Sequence, residues 1–139
     1  MEGRRLAPLV GIVGSVALLV LLAVPYLLIT TQGAVAGYYT APLDPLFAGL
    51  FALVAVIVLA AGREERSDPA VAAGAALVLG VFVVLIVALW VAGAPAEVVF
   101  GLEEEGPVRL LQYHPLVTLL AALSLPTSAL WYSRALGLL

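Results

Sequence analysis

The sequence predicts an all-α fold: a bundle of four transmembrane helices joined by short loops, with both termini on the cytoplasmic side. Hydrophobic residues make up 64% of the 139 residues and charged residues 11%, whereas soluble domains have about 45–50% and about 25%. A helix needs about 20 apolar residues to cross the roughly 30 Å hydrocarbon core of a bilayer. Four long stretches without Asp, Glu, Lys or Arg meet that need: 6–43, 45–62, 69–96 and 110–133.

We place the spans at about 6–29, 45–62, 69–93 and 115–132, within a single integral membrane domain that covers residues 1–139. Each span should be helical, because backbone polar groups in lipid must be satisfied within the protein. Short loops make helices that follow each other in the chain antiparallel neighbours. The protein is therefore expected in the cell (plasma) membrane as a multi-pass protein in contact with the lipid bilayer.

Span 1 has a signal peptide as its alternative interpretation. Arg4 and Arg5 precede the apolar stretch, and Ala34-Val35-Ala36 is an A-x-A tripeptide. The stretch is longer than the roughly 7–15 apolar residues of a signal peptide, and the tripeptide lies well beyond its end. A membrane span is therefore favoured, and Pro25 is expected to kink or end its helix.

Spans 2 and 3 open with the same local signal. Asp44-Pro45 and Asp68-Pro69 each place an Asp at the N-cap and a Pro at the first helical position, where no intrahelical donor is lost. A charged turn at 63–66 joins the two spans. Span 4 begins near Pro115, and Pro126 inside it should bend the helix.

Orientation follows from the arginines, because short loops rich in Arg stay in the cytoplasm. The outer side holds only Arg109, together with acidic loops that contain Asp44, Glu97, Glu103, Glu104 and Glu105. The inner side holds the other arginines: Arg4, Arg5, Arg63, Arg66 and Arg134.

Two charged clusters have a functional alternative. Glu103, Glu104 and Glu105 offer oxygen ligands for calcium, but three consecutive acids lack the spacing of a dedicated calcium loop, so a solvated turn is favoured. Arg63 and Arg66 are candidates to contact lipid phosphates or a cytoplasmic partner. An ordinary positively charged anchor on the inner side is favoured.

Small residues mark candidate packing faces. In lipid, helices associate where small residues let their backbones approach closely. Four-residue spacing, which keeps residues on one helix face, occurs in three spans: Gly11 and Ser15, then Ala72, Ala76 and Gly80, then Ser124 and Ser128. The contacts are expected inside the chain or between copies. Chance spacing in Ala- and Gly-rich spans is the alternative.

No ionisable residue lies deep in any predicted span, although such residues are the usual mark of transporters and proton relays. A pathway built by this chain would have hydroxyls and backbone as its polar lining. The hydroxyls are those of Ser15, Thr118, Ser124, Thr127 and Ser128. Helix packing is the favoured role for them.

His114 is the single histidine, at the outer boundary of span 4. Imidazole ligates both haem and metals, but a second ligand would have to come from a partner or another copy. An interfacial histidine near a helix start is favoured. The chain has no Cys, and motifs for phosphate loops, zinc proteases or serine hydrolases do not occur. We therefore predict no catalytic residue, no cofactor and no metal site.

The chain resembles the small, uncharacterised four-span membrane proteins of halophilic archaea. The resemblance rests on a basic set made only of Arg, acidic loops, and the segments 62–69, 95–102 and 131–134. It implies no activity and carries over no functional residue. It implies an acid-rich outer face suited to high salt.

For function, the sequence favours a non-enzymatic accessory or scaffold subunit of a membrane assembly, bound to a larger complex or to itself. The alternatives are a small oligomeric transporter or channel, and a membrane redox or enzyme subunit that uses His114 and the outer acids. A net charge of −3 and a pI near 4.9 argue against a nucleic-acid partner, which requires a basic face.

Overall fold

The computed structural model describes residues 2–28, 46–92 and 113–139. These residues form four helices with short turns after the second and fourth. The helices are α1 (Glu2–Leu28), α2 (Leu46–Arg63), α3 (Pro69–Ala92) and α4 (His114–Ala135). The prediction of an all-α four-helix bundle is confirmed. The predicted span ends at residues 29, 45 and 93 lie outside the described residues.

The helices are arranged in a ring that follows their order in the chain. α1 packs on α2 and α4, and α3 packs on the same two helices. Neighbours run antiparallel: Arg4 at the start of α1 donates from Nε to Ala135 O at the end of α4, at 3.4 Å. Arg63 at the end of α2 donates from Nε to Arg5 O, at 3.0 Å. The start of α1, the 63–68 turn and the end of α4 therefore meet at one end of the bundle, here called the turn end.

Within the described residues, all four helices are long and apolar enough to cross a membrane. α2, with 18 residues, is about 27 Å long at about 1.5 Å per residue, close to the thickness of a hydrocarbon core. Large apolar side chains point outwards on every helix, as shown by Val13, Ile57, Val71 and Leu120, each 60–65% exposed. Such a surface suits contact with a lipid bilayer.

The interior is built mainly from small residues, which allow the helix backbones to approach closely. Buried alanines come from all four helices: Ala7 of α1, Ala48, Ala52 and Ala55 of α2, Ala72, Ala73 and Ala76 of α3, and Ala122 and Ala129 of α4. The two largest fully buried side chains lie near opposite ends of the bundle. Tyr132 lies at the turn end and Trp90 at the other.

Two local features that the sequence predicts are an Asp cap at the start of α3 and a proline inside α4. Asp68 Oδ1 accepts a hydrogen bond from Ala70 N at 3.0 Å, so the predicted Asp cap before Pro69 is confirmed. α4 continues through Pro126. Around this proline, Ser124 Oγ donates to Ala121 O at 2.6 Å.

Several sequence predictions concern residues outside the described ranges. They are the cap at Asp44-Pro45, the acidic turn at Glu103–Glu105, and the outer positions of Glu97 and Arg109. The five arginines predicted for the inner side belong to α1, the 63–68 turn and the last turn of α4, and these segments share the turn end.

Candidate functional site

The first set of candidate residues forms the contact between α1 and α4. A Cβ atom added at Gly11 would lie 2.5 Å from Ser128 Oγ and 2.7 Å from Leu59 Cδ1. One added at Gly14 would overlap Ser124 Oγ. Gly11 and Ser124 therefore lie at an internal contact, and Gly14 is a contact residue that the four-residue spacing did not mark.

The stripe on α3 also faces the inside of the bundle. Ala72, Ala76 and Gly80 are all buried. A Cβ at Gly80 would lie 2.8 Å from the backbone nitrogen of Pro126 and 3.0 Å from its Cα. Ala72 packs beside Gly62 of α2, where an added Cβ would lie 2.5 Å from Ala72 Cβ. Each of these contacts joins two helices of the same chain.

The hydroxyls of α4 are bonded to their own helix. Thr127 Oγ1 donates to Leu123 O at 2.7 Å and Ser128 Oγ to Leu125 O at 2.8 Å. Ser15 of α1 differs, because its Oγ is buried and has no hydrogen-bond partner among the described residues. A groove of about 340 Å³ between α1 and α4 is lined by Val10, Leu120, Leu123, Ser124, Thr127, Ser128 and Trp131.

His114 begins α4 at the end opposite the turn end, and its ring faces the interior. The side chain is 5% exposed, whereas the sequence suggested an interfacial position. Its Nε2 donates to the Leu21 carbonyl of α1. The ring meets Trp90 of α3 edge-on, with centroids 5.7 Å apart, and Thr118 Oγ1 donates to His114 O at 2.7 Å. His114 thus ties three helices together.

No group of three or more His, Cys, Asp or Glu side chains able to hold a metal ion occurs in residues 2–28, 46–92 and 113–139. Within these ranges, His114 has backbone, hydroxyl and aromatic neighbours.

A cavity of about 450 Å³ lies at the turn end. Its charged lining comes from α1, from the end of α2 and from the turn that follows: Arg4, Arg5, Arg63, Glu64 and Glu65. Arg63 is the link between these segments, because it donates to Arg5 O and also pairs with Glu64 Oε1 at 3.4 Å. The cavity lies where α1, the 63–68 turn and the end of α4 meet.

Tyr132 of α4 forms part of the cavity wall. The side chain is 1% exposed, and its hydroxyl lies beside Gly62, where an added Cβ would be 3.1 Å from Tyr132 Oη. In the sequence, Tyr132 is only the last residue of predicted span 4. Its position among arginines could not be read from spacing.

The turn after α2 has an unusual backbone at the cavity. Glu65 has a φ of 58°, in the left-handed region that residues other than Gly, Asn and Asp seldom adopt. Glu65 N donates to Gly62 O at 3.2 Å and Arg66 N to Ala61 O at 2.9 Å. This is the Schellman arrangement, in which the left-handed position is usually Gly.

No curated protein and no solved structure matches the chain. The model of a family of unknown function, DUF7548, matches residues 1–137. The match takes in all four helices and the residues of the turn-end cavity. The expectation of a small membrane protein family without an assigned activity agrees with this match and with the four apolar helices. The chain is therefore a member of DUF7548, a family of unknown function.

Proposed function

We propose that this protein is a non-enzymatic accessory subunit of a membrane assembly, with both termini on the cytoplasmic side of the plasma membrane. Two observations together carry the proposal. The interior of the bundle is filled by side chains, and the apolar outward surface has one position without a side chain. That position is Gly74 of α3, the only exposed glycine within the described helices. No atom lies within 4 Å of a Cβ added there.

The filled interior supports a scaffold rather than a conduit through one copy. The backbones of α3 and α4 approach so closely at Gly80 and Pro126 that a methyl group has no room. Trp90 and Tyr132 occupy the two ends of the interior and are each at most 1% exposed. A pathway along the axis would have to displace these side chains.

At Gly74, the backbone of α3 is open to close approach by a partner helix. Helices in lipid associate through close backbone packing at small residues. The other glycines of the described helices lie against neighbouring helices of the same chain: Gly3, Gly11, Gly14, Gly49, Gly62 and Gly80. Gly74 is exposed, with large apolar residues such as Val71 and Val78 around it. A partner helix can therefore approach α3 at this point.

The absence of an enzymatic role is also part of the proposal. The His114 ring is held by Leu21 O and Trp90, and a structural role accounts for its position. The visible spectrum of protein purified from its native membrane tests this reading. We expect no haem band, and a haem band that His114→Phe removes would identify a redox subunit instead.

A small oligomeric transporter is the second candidate, because three hydroxyl-bearing residues line the groove between α1 and α4. These belong to Ser124, Thr127 and Ser128, and a second copy against this groove would enclose them. Their hydrogen bonds to their own helix favour packing over transport. Solute uptake into reconstituted vesicles that falls in Ser124→Ala and Ser128→Ala would favour the transporter.

The test of the accessory role is purification from the native membrane in mild detergent, followed by mass spectrometry. We expect a stoichiometric partner with the wild-type chain and with Gly74→Ala. Gly74→Leu should lose the partner, because it places a large side chain on the outward face, where an added Cβ meets no atom of the bundle. A homogeneous self-assembly with no partner in the wild type would contradict the proposal.

Orientation has a direct test because the chain contains no Cys. Ser67 in the exposed 63–68 turn can be replaced by Cys and treated with a thiol reagent that does not cross membranes. We expect labelling only after the cells are opened. Labelling of intact cells would place the turn end outside.

A further inference from the structure

We propose that the cavity at the turn end binds the phosphate group of an anionic phospholipid headgroup. The cavity combines three arginines, two glutamates and the buried Tyr132 in about 450 Å³. The inference is independent of the accessory role, because it concerns the lipid around the bundle rather than a protein partner.

The charges that line the cavity suit one phosphodiester. Arg63 pairs with Glu64 at 3.4 Å, which leaves Arg4 and Arg5 together with the single carboxylate of Glu65. The lining therefore carries an excess of one positive charge. A phosphodiester carries one negative charge, so a ligand of this class neutralises the site.

The arginines have donors left for such a ligand. A guanidinium presents five N–H donors in a planar fork that fits two phosphate oxygens. Among the described residues, Arg4 uses Nε for Ala135 O, and the side chain of Arg5 makes no hydrogen bond. Lysine would supply only a point charge, but all six basic residues of the chain are Arg.

Tyr132 adds a neutral donor from the interior. Its ring is packed in the bundle, since the residue is 1% exposed, and the residue also lines the cavity. A phenol hydroxyl can donate a hydrogen bond. A phosphate oxygen in the cavity would accept that bond, so Tyr132 would hold the ligand from the side of the bundle interior.

The backbone conformation of Glu65 also supports a ligand site at the cavity. Its left-handed backbone is unfavourable for a residue with a Cβ atom, and backbone strain of this kind concentrates at ligand sites. The turn places the Glu65 carboxylate at the cavity. That carboxylate would repel a second negative charge and accept hydrogen bonds from headgroup hydroxyls. A phosphodiester with neighbouring hydroxyls, as in phosphatidylglycerol, is therefore preferred to a dianionic phosphate.

The position of the cavity selects a lipid as the source of the phosphate. It lies at the end of four helices that are long and apolar enough to cross a membrane, which is the depth of the headgroups. Arginines at this depth attract anionic lipid. Free phosphate shares the binding chemistry, and the experiment separates the two sources.

The test uses the full chain in a neutral detergent and measures its thermal unfolding midpoint against ligand concentration. The ligands are short-chain phosphatidylglycerol, short-chain phosphatidylcholine and inorganic phosphate. A ligand that binds the folded state raises the midpoint by an amount that grows with the logarithm of its concentration divided by its Kd. We expect phosphatidylglycerol to raise it and phosphatidylcholine to have little effect at the same concentration.

The matched variants are Arg5→Ala and Arg134→Ala. Both remove one exposed arginine at the turn end, but only Arg5 lines the cavity. Arg5→Ala should weaken phosphatidylglycerol binding about tenfold, the effect of losing one charge-assisted pair. Arg134→Ala should leave it nearly unchanged. Tyr132→Phe keeps the ring in place and should weaken binding severalfold.

Three outcomes would overturn the inference. Equal responses to phosphatidylglycerol and phosphatidylcholine would show that charge is not recognised. Equal losses in Arg5→Ala and Arg134→Ala would show a general surface effect rather than a cavity. A response to inorganic phosphate without one to phosphatidylglycerol would assign the cavity to a soluble ligand instead of a lipid.

Discussion

Glu65 and Gly137 hold the same place in two helix ends at the turn end of the bundle, and both have left-handed backbones, with φ of 58° and 79°. After α4, Gly137 N donates to Arg134 O at 3.0 Å and Leu138 N to Ser133 O at 2.9 Å. This repeats the pattern after α2. The turn after α4 thus has glycine at the left-handed position, which suits that backbone, whereas the turn after α2 has a glutamate there.

Replacing Glu65 by Gly should stabilise the fold by about 1 kcal/mol, because the left-handed conformation costs an L-residue about that much. The reciprocal change, Gly137→Ala, should destabilise it by a similar amount. Thermal unfolding in detergent, followed by circular dichroism, measures both. A lower midpoint for Glu65→Gly would mean that the carboxylate contributes more stability than its backbone loses.

Gly80→Ala should destabilise the bundle by about 1–3 kcal/mol, the usual effect of overpacking. The new methyl group would lie 2.8 Å from Pro126 N, and backbone atoms of α4 cannot rotate away as a side chain can. Gly74→Ala is the control on the same helix, since its Cβ meets open space. In a titration with sodium dodecyl sulfate, Gly80→Ala should unfold at a lower concentration than Gly74→Ala. Equal unfolding midpoints would contradict the close contact between Gly80 and Pro126.

Asp68→Ala should cost about 1 kcal/mol, because it removes the acceptor for Ala70 N at the start of α3. Asp68→Asn keeps an acceptor oxygen in the same position and should retain most of that stability. Unfolding midpoints of the two variants give the comparison. If both fall equally, the charge of Asp68 matters rather than its capping bond.

Ser15→Ala should raise the stability by about 1 kcal/mol, because a buried hydroxyl without a partner is removed and its volume nearly kept. Ser128→Ala should not raise the stability, since Ser128 Oγ already donates a hydrogen bond to Leu125 O. Thermal midpoints in detergent report both effects. A marked loss of stability in Ser15→Ala would point to a bound group that its hydroxyl serves.

The number and type of helices could be predicted because they depend on local chemistry. Charge-free stretches of sufficient length dictate crossing helices, and Asp68-Pro69 fixes the start of α3 through one hydrogen bond. The partners of each helix face could not be predicted in the same way. Spacing shows that Gly80 lies on a small-residue face, but nothing near it in the sequence identifies Pro126 as its neighbour.

The candidate site was less predictable because it is assembled from distant segments. The sequence predicts an anchor on the inner side for Arg63, and for Tyr132 only a position at the end of span 4. They form one cavity because α1, the 63–68 turn and α4 converge. His114 is similar: its burial depends on Leu21 and Trp90, which are far away in the chain. One feature of the sequence did point to the cavity. The arginine rule assigns the start of span 1 and the 63–68 turn to the same side of the membrane, so their arginines could be expected near one another.

The burial of Trp90 has a practical consequence for spectroscopy. The chain has two tryptophans, one inside the bundle with 0% exposure and the other, Trp131, outward-facing with 41%. Brominated lipids should quench the fluorescence of Trp131 and spare that of Trp90. In a Trp131→Phe variant, the remaining emission would report on the core alone, so the loosening of the four helices could be followed in a bilayer without an added dye.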